Sequence, residues 1–166
     1  MAKLTNAEML EIYNQVKDIP SRRARIMESL RLLLNTLTLD KGYSQDICEV
    51  SYDVKGWKDK SEDQTPVIYI IDDTTQITRH SGCIREYIWT IRLYGLFRQG
   101  GIVDLEKWLT DIEQCIVDNT TMAGQVNKTE VVQIITDNQL FSVQNETHLF
   151  EVILNMEYTR KYTDPT

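Results

Sequence analysis

Residues 83–98 read CIREYIWTIRLYGLFR, sixteen residues with no proline and one internal glycine, Gly95. Isoleucine, tyrosine, tryptophan, threonine and phenylalanine suit a pleated, half-buried surface, so the stretch reads as one long strand. Alternate positions place Tyr87, Trp89, Ile91, Leu93 and Phe97 on one face. The other face mixes Glu86, Thr90, Arg92 and Arg98 with Ile84, Ile88, Tyr94 and Leu96. The first face is core and the second only partly covered. At about 3.3 Å per residue the strand spans roughly 50 Å, so it either protrudes from its own domain or bends at Gly95. A protruding strand points to assembly rather than catalysis.

Upstream, Thr5 or Asn6 caps a first helix whose apolar residues, Met9, Ile12, Tyr13 and Val16, share one face, and Pro20 ends it. A second helix follows over 21–37, with Ile26, Met27, Leu30, Leu33, Leu34 and Leu37 as an apolar stripe. Arg22, Arg23 and Arg25 read as a solvated, solubilising face. Alternation over 47–57 predicts a half-exposed strand, and the polar run 57–66 a long charged hairpin loop leading to a strand over 67–71. That loop contributes little to the core, so deletion of Lys58 to Gln64 is expected to leave folding intact. Asp72, Asp73 and Thr74 read as a tight turn, followed by a weak strand around Ile77 and a break at Ser81 and Gly82.

Downstream, 104–118 is the clearest helix: Leu105, Trp108, Leu109, Ile112 and Ile116 form its buried stripe, opposite Glu106, Asp111, Glu113 and Asp118. Trp108 and Ile112 are expected to dock on the sheet face that carries Trp89 and Ile91. Strands over 129–136 and 147–158 close the chain, with a turn at Asp137 and Asn138 between them. The fold class is α+β over a single domain, 1–166, in the order α-α-β-β-β-β-α-β-β. The sheet is mostly antiparallel, helices pack on one face, and 1–20 form an N-terminal helical extension.

With 18 Lys and Arg against 25 Asp and Glu, the net charge of −7 argues against broad binding of a phosphate backbone. Three cysteines, Cys48, Cys83 and Cys115, make a disulfide framework improbable, fit a reducing cytoplasm, and read as buried small apolar side chains. No signal peptide or membrane span is read, so the sequons at Asn119, Asn127 and Asn145 are taken as ordinary loop residues. His80 and Cys83 form a lone H-x-x-C, short of a zinc ligand set. His148 lies on an apolar strand face, as a packed histidine does. No nucleophile elbow, phosphate loop or dinucleotide fingerprint is present, so no catalytic, cofactor or metal site is assigned. Trp57, at the mouth of the charged run, is either a local anchor or a contact for another subunit. A ten-residue loop is long for a hairpin, which makes its residues candidates for an assembly interface: Trp57, Lys58, Asp59, Lys60, Glu62 and Asp63, together with Glu86, Arg92 and Arg98 from the long strand.

Three stretches carry a resemblance: YIWTIRLYGLFR at 87–98, followed at once by a helix ending Asp-Asn; the loop NTTMAGQV at 119–126; and LNMEYTRKYTDP at 154–165. In this order they resemble the tail terminator proteins of long-tailed bacteriophages, a family that includes related tail-completion and minor tail proteins. The resemblance implies a non-enzymatic virion protein, made in the host cytoplasm, that forms a hexameric ring on the finished tail tube and stops its growth. It also implies a surface for the head connector or neck protein and DNA passing only through the lumen; small rim-type contacts, which often hold only when a template supplies several at once, allow the free protein to be monomeric. A head-tail joining or baseplate subunit is the near alternative. A small metal-dependent hydrolase acting on nucleic acid is the distant one, and would gather Asp72, Asp73 and Glu86 or His80 around an ion.

Overall fold

The computed structural model describes residues 4–137 and 147–161. Three helices, α1 (Asn6–Val16), α2 (Arg22–Leu34) and α3 (Ile102–Asp118), accompany five strands, β1 (Glu49–Ser51), β2 (Val67–Ser81), β3 (Ile84–Phe97), β4 (Lys128–Asp137) and β5 (His148–Lys161). The strands form one sheet in the order β1-β2-β3-β5-β4. The class is α+β, and the sheet is mixed: β1 runs parallel to β2, while β2, β3, β5 and β4 pair antiparallel in turn.

The first two helices begin where the sequence supplies a side-chain cap, and at the start of α3 the Gly101 amide donates to Asp104 Oδ2 at 3.2 Å. Thr5 accepts from the Glu8 amide and Glu8 reaches back to the Thr5 amide, while Ser21 accepts from the Ala24 amide at the start of α2. The α2 stripe is buried as its spacing dictates, with Met27 packed at its edge. In α3, Leu105, Trp108, Leu109, Ile112 and Ile116 are all buried, and they share one core with Trp89, Ile91, Leu93 and Phe97 of β3 and with Phe150, Val152, Leu154 and Met156 of β5. α1 packs on α2, so the helices occupy one side of the sheet.

Several expectations change. Three strands, not four, precede α3, because the turn expected at Asp72 to Thr74 is a β-bulge inside a single fifteen-residue strand, β2. A second bulge lies between Ile77 and Arg79. The added residue at each bulge breaks the alternation that a sequence reading follows, while the ladder to β3 continues. The strand expected over 47–57 shrinks to Glu49–Ser51, and of its alternating apolar set, Cys48, Val50, Tyr52 and Val54, only Val50 is buried. Since β1 and β2 are parallel, 52–66 cannot be a hairpin loop; it is a connection with two short 3-10 turns, Trp57–Asp59 and Glu62–Gln64. The second residue of the expected turn at 137–138 lies outside the described residues.

β3 runs unbroken through Gly95, whose missing side chain makes room for the Phe150 ring; a Cβ there would lie 1.8 Å from Phe150 Cζ. Of the two alternatives the strand therefore protrudes. Gly82 (φ 55°) and Cys83 make a two-residue turn joining β2 to β3. No residue of β2 beyond Ile70, nor of β3 before Trp89, is buried. With the end of β5 alongside, these strands form a three-stranded arm that continues beyond the core.

Candidate interaction surface

The sheet face opposite the helices has no helix over it. Parity and register assign to it Val67, Tyr69, Ile71 and Asp73 from β2, Ile88, Thr90, Arg92, Tyr94 and Leu96 from β3, and Leu149, Glu151, Ile153 and Asn155 from β5. Its centre is polar. The Arg92 guanidinium bridges β2 and β5, donating to Asp73 Oδ2 at 2.7 Å and to a Glu151 carboxylate oxygen. These carboxylates, Asp73 first, push the Arg92 pKa further up. One step toward the arm, Thr90 Oγ1 donates to Asn155 Oδ1 at 3.0 Å.

The base of this face is covered by 52–66, which explains why Val67, Tyr69 and Leu96 are buried although they lie outside the helix-side core. Trp57 sits over them half-buried, and with Val54, Tyr69, Tyr94, Leu96 and Leu149 it lines an apolar pocket of about 300 Å³. It is an anchor for its own segment, and its pocket remains open to the outside. The segment is fastened by two carbonyls and a hydroxyl: Arg98 donates from Nη1 to the Lys60 carbonyl and from its amide to Thr65 Oγ1 at 3.2 Å, and Gln99 Nε2 donates to the Glu62 carbonyl at 2.6 Å. Lys60 also pairs with Glu49, which raises the lysine pKa.

The sequence-derived candidates thus separate into two groups. Arg98 and Lys60 hold the segment in place, whereas Lys58, Asp59, Glu62 and Asp63 turn their side chains to solvent around Trp57, with the Lys58 ammonium 5.5 Å from the Trp57 ring centroid. Arg92 lies at the centre of the open face, and Glu86 lies farther out on the arm, half-buried, its carbonyl accepting from Thr78 Oγ1 at 3.3 Å. These residues lie along one face of the molecule without converging on a single point.

The residues considered for chemistry are dispersed or structural. Asp72 and Asp73 point to opposite faces of the sheet: Asp72 accepts from Trp89 Nε1 at 2.7 Å and from Arg23, and Asp73 from Arg92. Among the described residues no group of three or more His, Cys, Asp or Glu is placed to hold a metal ion. His148 is buried beside the Phe97 ring, a ring nitrogen 3.2 Å from the Gly100 carbonyl, as a packed histidine is. Cys115 is buried, and burial pushes its thiol up to about 12, whereas Cys48 and Cys83 are exposed, contrary to the expectation for all three. Asn119 is no ordinary loop residue: it is buried at the end of α3 and donates to the Cys115 carbonyl at 2.8 Å. Asn127 is exposed, and Asn145 lies outside the described residues.

The arginines of α2 are the largest departure from the sequence reading, since they fasten α2 to the sheet and to the loop after α3. Arg23 lies 4.1 Å from the Trp89 ring centroid and donates to both Asp72 oxygens, at 3.0 and 3.2 Å. Arg22 donates to the Gln125 carbonyl at 3.2 Å, and Arg25 to Gln125 Oε1 at 3.3 Å. Their acceptors are distant in sequence, so a helical-wheel reading had no access to them. No helix among the described residues is long and apolar enough to cross a membrane. Comparison of the sequence with family models and with curated proteins gives no match.

Proposed function

We propose that the chain is a structural, non-catalytic subunit of a bacteriophage tail, a terminator that closes as a hexameric ring on the finished tail tube, stops its growth and meets the head connector. The observation that carries this reading is the arm. Strands β2, β3 and β5 run on past the last buried residues of β2 and β3, and strand length without a core of its own serves a neighbour. The open sheet face, with its half-exposed aliphatic and aromatic residues and the bridging Arg92, supplies a second contact surface. The net charge of −7 suits a ring through which DNA passes without being held. The order of the three resembling stretches supports the family, and a head-tail joining subunit would use the same surfaces. The hydrolase reading loses its basis once Asp72 and Asp73 face opposite sides of the sheet, each already held by an arginine.

The test is genetic. A phage deprived of this protein is expected to produce tail tubes of uncontrolled length that fail to join heads, seen by electron microscopy of the lysate. Tails of normal length joined to heads in that mutant would refute the proposal.

A further inference from the structure

The two ends of the long hairpin differ in charge and shape, and the differences are complementary. At the base, residues 46–63 carry six acidic side chains against three lysines, and one of those lysines, Lys60, is spent on Glu49 within the segment. Asp53, Asp59, Glu62 and Asp63 are exposed around the apolar pocket between Trp57 and Tyr94. At the arm end, the described residues 79–86 and 159–161 carry four arginine and lysine side chains, Arg79, Arg85, Arg160 and Lys161, against one acidic one, Glu86. Register sets Arg85 directly opposite Arg160, two like charges side by side, each also engaged within its own chain. The same end exposes Ile84, beside Lys161 in register, on the face of the sheet that carries the pocket.

We infer that the arm end of one copy docks on the base of the open face of the next copy, Ile84 entering the pocket beside Trp57 and the cationic arm end meeting Asp59, Glu62 and Asp63. The contact rests on the ring reading above and names its joint. A basic, apolar tip at one end and an acidic, apolar socket at the other make it heterologous: each copy offers a tip to one neighbour and a socket to another, which closes a ring when the rotation permits. The two surfaces lie at opposite ends of β2 and β3, and neither can match a second copy of itself, because like charges would then face each other.

Cys83, exposed at the turn beside Ile84, provides the probe. The purified full chain carrying Asp59→Cys, oxidised at low salt and high protein concentration, is expected to form covalent dimers and longer species in which Cys83 of one copy is joined to the thiol introduced at position 59 of another. Yield should fall by about tenfold at high salt, since steering by charge is screened. Adding Cys83→Ser should abolish the mixed link, and adding Ile84→Asp should reduce it at unchanged circular dichroism. Links only between two thiols at position 59, or only between two Cys83 thiols, would mean an isologous contact and overturn the inference, as would no links at all. Retention of duplex DNA by the unmodified chain, lost in Arg85→Glu and without mixed links, would assign the arm to nucleic acid instead. Mixed links together with normal tails in the phage mutant would leave the self-contact standing and remove the tail reading. Uncontrolled tails without mixed links would do the reverse.

Discussion

Asp111 shows how far a single side chain can depart from its helical position. On the α3 wheel it belongs to the polar face, yet it is buried, because its carboxylate accepts from the Ser44 amide at 2.7 Å and from the Ser44 hydroxyl. A charged group is kept inside when charge-assisted bonds replace its water, and here the donors come from a loop far away in sequence. The loop after α3 also holds an unusual backbone: Met122 and Ala123 take φ of 47° and 57° ahead of Gly124 at 81°. Non-glycine residues there are strained, and the strain is held by the burial of Met122 and by the Arg22 and Arg25 bonds to Gln125. Gly95 gives the clearest residue-scale prediction. Gly95→Ala should destabilise the chain by about 1–3 kcal/mol, since the new methyl must displace the Phe150 ring in a filled core. Urea denaturation checks this, and a loss below about 0.5 kcal/mol would mean that the ring moves aside freely.

At the scale of elements, the helices were legible and the connections were not. Periodicity located α1, α2, α3 and their buried faces, and Trp108 and Ile112 join Trp89 and Ile91 in one core as their spacing foretold. The connection 52–66 is different in kind. Its exposed charges suggested a removable hairpin, but the Lys60 and Glu62 carbonyls serve Arg98 and Gln99, so deleting 58–64 would take away the acceptors that fasten the segment beside Trp57. The arm is the truly separable element. Replacing 79–86 by a two-residue Asn-Gly turn is expected to cost less than about 1 kcal/mol in stability, because none of those residues is buried. A thermal melt of the shortened chain checks it, and loss of cooperative unfolding would show that the arm supports the core after all.

For the whole molecule, burial sets a limit at alkaline pH. Burial raises Cys115 from 9.0 to about 12 and also raises Tyr43 and Tyr52 from their usual 10.0. A raised acid holds its proton in the folded chain after the unfolded chain has released it. Its contribution is therefore complete below the unfolded pKa and is lost as pH climbs toward the folded one. The urea midpoint is thus expected to decline once the pH passes about 9, at up to roughly 1.4 kcal/mol per pH unit for Cys115, and Cys115→Ala should delay that onset. A midpoint unchanged over the same range would contradict it. Taken alone, the sequence determined the α+β class, the three helices and the one long strand, because 3.6-residue and two-residue periodicities are local properties of neighbouring side chains. Only the tertiary structure decided that β1 lies parallel to β2, that Asp72 and Asp73 face apart, that the α2 arginines are fasteners, and that the acidic and basic ends stand at opposite ends of one hairpin. Register, bulges and partners distant along the chain are set by the closing of the whole sheet, which no window of adjacent residues contains.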